Sequence, residues 1–364
     1  MSNLKHGAFA AAVLASITFT SLSQTTLAHG NLPSTALLSS RAIVFSPATH
    51  KVYAVDRDRG AIFIINESAN SVSSVKVGSE PVAIAVNAFS GRVYVANSGS
   101  GTVSVLDGQQ DSIVATISVG PLPYVLAASE ATNRIYVSNT FSDLLTIIDG
   151  TTNATTTLKT GSADAIAIDP KAGKVYLLGY QDSNLIVLDE KNGEQSKVPM
   201  GMHLWGMALS EDSHMLYATL SGSAAVVALD ENSRSLTNIP SGEIPCAVAV
   251  NPSTNTAYVV NYRDNSVTVI DGARGLAISK VPVGDHPQAI AVDPKANLVY
   301  VANTHGNSVS VIDGTSNTVI ATLDAPDHPY AVAVNLNTGR VYVANLGERP
   351  FAILDRPKIR SQSQ

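Results

Sequence analysis

Four histidines are the first candidates for chemistry in this 364-residue chain: His203, His286, His305 and His328. Asp285 and Asp327 directly precede His286 and His328, and a carboxylate behind an imidazole can orient the ring for a divalent metal or tune its proton. A bland alternative is that these side chains cap loops through hydrogen bonds. Cys246, the single cysteine, offers a nucleophile in principle, but a lone cysteine usually acts as a small buried apolar residue. One cysteine also excludes an intrachain disulfide, a thiolate zinc cluster and a Cys-x-x-Cys-His haem attachment. His29, if freed as an amino terminus, would offer an amine and a ring to copper, yet the sequence shows no partner ligands for it. No catalytic triad spacing, His-Glu-x-x-His helix or phosphate loop is present. No residue is therefore assigned as catalytic, and no cofactor is expected beyond a divalent metal as an option.

These groups share no local motif, so a scaffold must bring them together, and repetition supplies it. A tyrosine-centred tetrad recurs as Val93-Tyr94-Val95-Ala96, Ile135-Tyr136-Val137-Ser138, Val299-Tyr300-Val301-Ala302 and Val341-Tyr342-Val343-Ala344. Its tyrosines are Tyr53, Tyr94, Tyr136, Tyr176, Tyr217, Tyr258, Tyr300 and Tyr342, spaced 41, 42, 40, 41, 41, 42 and 42 residues apart. Thirteen residues after each stands a polar stop: Asn66, Asp107, Asp149, Asp189, Asp230, Asp271, Asp313 and Asp355.

Within a unit the hydrophobic period is two, with Gly, Asn, Ser and Asp clusters between the runs. Residues 83–86, 92–96, 102–106 and 114–119 give four strands, a to d. Such a sheet cannot bury both faces alone, and repeats of about 40 residues that stack to do so build a β-propeller around a central channel. The expected fold is all-β, a propeller of four-stranded antiparallel blades. Eight blades are expected, because seven would leave one a-b-c set unplaced. Too few residues follow Asp355 for a last strand d, so Leu32 to Leu38 are expected to pair with strand c of the last blade and close the ring. Pro33 is tolerable there because strand d is an outer edge.

Residues 1–28 combine Lys5, an apolar stretch from Ala8 to Leu22 and a Thr26-Leu27-Ala28 end, which reads as a secretory signal cleaved near Ala28. Ser16, Thr18, Thr20 and Ser21 make the stretch too short and polar for a permanent span. The reading is a periplasmic or secreted monomer without membrane insertion, with a propeller domain over 29–357 and a tail over 358–364. A net charge of −6, from 23 basic and 29 acidic residues, gives no support to indiscriminate attraction toward nucleic acid or anionic lipid.

Strand direction sorts the loops onto two rims. The d-to-a and b-to-c loops share the top, and the a-to-b and c-to-d turns share the bottom. Bottom turns such as Asn251-Pro252-Ser253-Thr254-Asn255 and Asp313-Gly314-Thr315-Ser316-Asn317 are polar punctuation. At the opening of strand a, twelve residues before each tyrosine, the top instead carries Arg41, Val82, Tyr124, Asp164, Trp205, Cys246, Gln288 and Tyr330. The b-to-c loops add Arg57, Asp58, Arg59, Phe141, Tyr180, Tyr262, Arg263, His305, Glu348 and Arg349. Aromatic, imidazole and guanidinium groups on a rigid scaffold are what a ligand face needs. The candidate ligand set is Arg41, Tyr124, Asp164, His203, Trp205, Cys246, His286, Gln288, His305, His328 and Tyr330.

The units resemble the YVTN-repeat β-propeller family, which includes YncE-like periplasmic proteins and surface-layer propellers. The motifs that carry the resemblance are Val93 to Asn97, Val299 to Asn303 and Val341 to Asn345, with Ser308 to Gly314 fitting the third strand. Units four (Leu177-Leu178-Gly179) and five (Ala218-Thr219-Leu220) depart from the tetrad. The resemblance implies this fold, export, and binding or surface roles. The function expected is a non-catalytic binding or scaffold module that takes a ligand or a cell-envelope protein on its top rim. Two alternatives stand beside it. YncE-like propellers are often described as DNA-binding, and Tyr262-Arg263 or Arg57 with Arg59 could stack single-stranded bases. A lyase- or lactonase-type propeller enzyme with a histidine metal site at the channel mouth is the other.

Overall fold

The structure, a computed structural model, describes residues 42–139, 142–179, 182–346 and 350–357. All of its regular elements are strands, from β1 (Ile43–Ser46) to β31 (Phe351–Leu354). They form eight antiparallel sheets in simple a-b-c-d order, seven with four strands and one, β29 (Pro329–Val334), β30 (Val341–Asn345) and β31, with three. The chain is thus an eight-bladed propeller. The innermost strands touch from blade to blade, and β29 also touches β1. The ring therefore closes from blade 8 to blade 1, where Phe63 and Phe351 pack with ring centroids 5.6 Å apart. Leu32 to Leu38, expected to complete blade 8, lie outside the described residues, as do the 1–28 signal segment and the 358–364 tail.

Burial follows position within the blade. Strand b is covered on both faces by neighbouring blades, so β2 (Lys51–Asp56) and β26 (Leu298–Asn303) are buried along their whole length. This is why the tetrads read as unbroken apolar runs. Strand d is the outer edge, and β4 (Ser71–Lys76) is mostly exposed and polar. Such polarity protects a free edge from pairing with another sheet.

The eight repeat tyrosines are the largest fully buried side chains. Each lies at the centre of strand b, and hydroxyls of this set reach the lower rim of the next blade. Tyr53 donates to the Gly108 carbonyl at 3.2 Å, and Tyr136 donates to Glu190 Oε1 at 2.9 Å. Tyr342 donates to Glu67 and so ties blade 8 to blade 1. The receiving position follows the polar stop. At Gly108 and Gly314 a Cβ would lie 2.9 Å and 2.7 Å from the hydroxyls of Tyr53 and Tyr258, closer than side-chain atoms come. Glu67 and Glu190 instead turn a carboxylate toward the hydroxyl.

The polar stops work as Asx-turns, in which a side-chain oxygen imitates a turn carbonyl. Asp107 Oδ1 accepts from the amides of Gln109 and Gln110 at 2.9 and 3.0 Å, and Asp149 repeats this with Thr151 and Thr152. The asparagine that ends strand b has its own task. Asn303 Nδ2 donates to Ser308 and Ser310 at 3.1 and 2.9 Å, and Asn97 and Asn261 bind strand c hydroxyls in the same way. These asparagine contacts fall in blades 2, 6 and 7, whereas the tyrosine hydrogen bonds fall in blades 1, 3 and 8.

The tyrosine contacts are separable by mutation. Tyr136→Phe leaves the buried Glu190 carboxylate short of a donor and should cost about 1–2 kcal/mol. Tyr217, whose hydroxyl has no hydrogen-bond acceptor in reach, should tolerate Phe within about 0.5 kcal/mol. Chemical denaturation of both variants checks the contrast, and equal losses would contradict it.

Candidate functional site

The top rim is assembled as the strand order requires. In blades 2 and 5 to 8 the b-to-c loop hydrogen-bonds the segment that leads into strand a, as in Ser98 N to Glu80 O at 2.8 Å, Tyr262 N to Ile244 O at 3.0 Å and Thr304 N to His286 O at 3.0 Å. The residue before strand a turns through the left-handed region: φ is 48° at Glu80, 62° at His203, 49° at His286 and 60° at His328. The next variable position lies at a β-bulge. Register shifts fall between Pro81 and Ala83, Pro245 and Ala247, Pro287 and Ala289, and Pro329 and Ala331. A bulged residue is released from the ladder and re-aimed, which explains why its chemistry varies while its neighbours stay fixed.

The histidines of blades 7 and 8 come together. His286 and His305 pack with ring centroids 4.2 Å apart. Tyr262 of blade 6 meets His286 edge-on at 4.8 Å, and His328 of blade 8 meets His305 edge-on at 6.3 Å. The result is a row of four aromatic rings across three blades, with His305 and His328 exposed. Asparagines of the preceding blade pin two of the backbones: Asn265 Oδ1 accepts from His286 N at 2.8 Å, and Asn307 Oδ1 from His328 N at 2.9 Å.

Electrostatics is set by Asp285, which pairs with His286 Nδ1 at 2.8 Å and accepts from Asn265 Nδ2 at 3.2 Å. The bond to His286 holds the Asp285 carboxyl below the usual carboxylate range. His305 is held below the ordinary histidine value, first by partial burial and next by the charge of His286. Ligand atoms of Asp285, His286 and His305 lie within 4.8 Å of one another, so this corner can offer one carboxylate and two imidazoles to a divalent ion.

The other expected site residues divide into four groups. Arg41 lies outside the described residues, as do the loop residues Phe141, Tyr180, Glu348 and Arg349. Tyr124, Asp164 and Trp205 stand half-buried on blades 3, 4 and 5, along a different arc of the ring, and His203 is half-buried ahead of Trp205. Gln288 is half-buried beneath the row and accepts from Thr304 Oγ1 at 3.0 Å. Cys246 and Tyr330 belong to the packing between blades, only 8% and 4% exposed. The Cys246 sulfur lies 3.7 Å from the carbonyls of Val260 and Pro287, and burial pushes its thiol up to about 12, which suits an inert packing residue. Tyr262, left out of the candidate set, belongs to the row. Its place in the b-to-c loop just before Arg263 was its only signal.

The asymmetry of the row is measurable. His305 should titrate below an ordinary histidine in an NMR pH series. His286→Asn, which suits the left-handed backbone and removes a neighbouring positive charge, should move the His305 midpoint upward; an unmoved midpoint would remove His286 as a cause.

The model of the YNCE-like beta-propeller family matches residues 72–358. No curated protein matches the sequence significantly. Among solved structures, Kuenenia stuttgartiensis hydrazine synthase is similar over 93% of this chain and 99% of that chain, at 16% identity and a TM-score of 0.61. The dihydro-heme d1 dehydrogenase NirN, in complex with DHE, is similar over 93% of this chain and 78% of that chain, at 14% identity and a TM-score of 0.71. At such identity the likeness is one of fold.

Proposed function

The chain belongs to the YncE-like β-propeller family, and we propose that it serves as an exported, non-catalytic binding protein whose top rim captures its ligand through Tyr262, His286, His305 and His328. The aromatic row carries this reading. Four rings that meet edge-on or tilted, two of them exposed, offer flat faces for stacking and ring nitrogens for hydrogen bonds. The blades beneath fix their spacing, so little order is lost on binding. A ligand or cell-envelope partner with a planar group and hydrogen-bond acceptors fits these features. Export rests on the character of residues 1–28, and the compartment is the periplasm or the medium.

Single-stranded DNA is a poorer match to the charges. Arg57 pairs with Glu80 at 2.6 Å, Arg59 approaches Asp56 at 3.9 Å, and Arg263 lies 3.6 Å from Glu243. Lys280 is held by Asp264 at 2.7 Å. Phosphates would have to compete with carboxylates for each of these cations. A divalent metal on Asp285, His286 and His305 is the second reading, favoured by the closeness of their ligand atoms. It would make the row a metal-dependent recognition site or, in an enzyme, the centre of a Lewis-acid reaction.

Immobilised full-length protein, exposed to a native cell-envelope extract and to a single-stranded oligonucleotide in parallel, tests the reading. The expected result is a captured component that is lost with His305→Ala and Tyr262→Ala but kept with Tyr217→Phe, and no oligonucleotide held at about 0.15 M salt. Oligonucleotide retained at that salt would transfer support to the nucleic-acid reading. Capture indifferent to both rim substitutions would overturn the site.

A further inference from the structure

We propose that the lower rim between blades 4 and 5 holds a divalent transition-metal ion on Asp169, His214 and Glu231. These residues come from the end of strand a in blade 4, the a-to-b turn of blade 5 and the c-to-d turn of blade 5. Ligand atoms of all three lie within 4.8 Å of one another, and His214 Nδ1 is 3.9 Å from Asp169 Oδ2. Side-chain rotation can bring such a set to bonding distances of about 2.0–2.2 Å.

The oxygens concerned are short of donors. Asp169 is fully buried. Its Oδ1 is used by the amides of Lys171 and Ala172 at 2.8 and 2.9 Å, while Oδ2 is sealed from solvent without a hydrogen bond. Both carboxylate oxygens of Glu231 are sealed in the same way. A buried carboxylate oxygen without a donor is costly, and here two carboxylates face each other. Lys174 lends Glu231 partial charge compensation and the Tyr176 hydroxyl faces it, whereas Lys171 is drawn to Asp212 at 2.5 Å. A divalent cation would neutralise both acids at once.

The repeat supplies internal controls, because the same three positions occur at every blade boundary. Between blades 3 and 4, Ser129 and Thr132 donate to Glu190 at 3.2 and 2.8 Å. Between blades 2 and 3, and 6 and 7, neutral amides pair as Asn87 with Asn133 at 2.9 Å and Asn251 with Asn297 at 2.7 Å. Asp293 at the boundary of blades 7 and 8 is met by Arg356. Between blades 8 and 1, His50 and Glu67 recur, but Asn335 replaces the aspartate. Among the described boundaries, that of blades 4 and 5 alone opposes two carboxylates and adds an imidazole. One nitrogen and two carboxylate donors suit Mn²⁺, Fe²⁺, Co²⁺ or Zn²⁺. His214, 38% exposed in its side chain, leaves a route for water ligands. This site is separate from the top-rim row and does not depend on it.

The test uses full-length protein carrying His286→Asn and His305→Asn, so that the top rim contributes no imidazole pair. After chelator treatment, Zn²⁺ and Mn²⁺ are titrated by calorimetry and the melting temperature is followed with and without metal. One equivalent should bind and raise the melting temperature. Asp169→Ser, His214→Asn and Glu231→Gly each install the residue that another blade carries at that position, and each should weaken binding by about tenfold or more. Asp169→Ser should melt no lower than its parent without metal, since it removes one of two opposed acids. No bound metal in the parent, or affinity in Asp169→Ser or His214→Asn unchanged from the parent's, would overturn the site. If Asp169→Ser fails to fold, His214→Asn alone decides.

Discussion

The structure depends on the contact between a buried tyrosine and the lower rim of the blade that follows it. A four-stranded sheet of this length has two apolar faces and no second layer of its own, so each blade is stable only when sandwiched. Hydrophobic packing supplies the attraction, but it is tolerant of angle. The hydroxyl is not: it must meet a carbonyl or carboxylate on the next blade or remain buried without a partner. Tyr53 with Gly108, Tyr136 with Glu190 and Tyr342 with Glu67 show the rule satisfied by different acceptors. At Gly108 and Gly314 the same hydroxyls leave no room for a Cβ after the polar stop.

A division of labour between the rims follows. The lower rim is where blades are fastened, so its residues are selected for complementarity with a neighbour. On the upper rim of blades 2, 3 and 5 to 8 the chain makes a left-handed bend and then a bulge, which takes a residue out of the ladder. Positions freed from pairing can change without disturbing the blade, and in blades 6 to 8 they and the adjoining loops have filled with imidazole and phenol rings.

Much of the fold was legible because its determinants are periodic. The tyrosine spacing gave the blades, the Asp at thirteen residues beyond gave the turns, and the alternation gave the strands. The site was legible only in part. The repeat places His286 and His305 at the top of one blade, since both positions are read from the strand order, but the 4.2 Å stacking depends on side-chain directions that no linear pattern carries. Cys246 and Tyr330 occupy the variable position yet turn into the boundary between blades, because a bulge can aim a side chain inward as readily as outward. Asp169, His214 and Glu231 sit in turns that read as interchangeable punctuation. What distinguishes them is the combination of three positions across a boundary, each ordinary by itself.

The tyrosine hydrogen bonds of blades 1, 3 and 8 all run in the same sense around the ring, each from one blade to its successor. In symmetry terms the molecule is a covalently joined analogue of a cyclic oligomer with head-to-tail interfaces. Such interfaces have no natural terminus. The number of units at which they close is fixed by the wedge angle summed over all of them, so an extra copy of the repeat would force every joint to readjust. The bladed number is accordingly a collective property, written in the thickness of eight boundaries rather than in the sequence of any single blade.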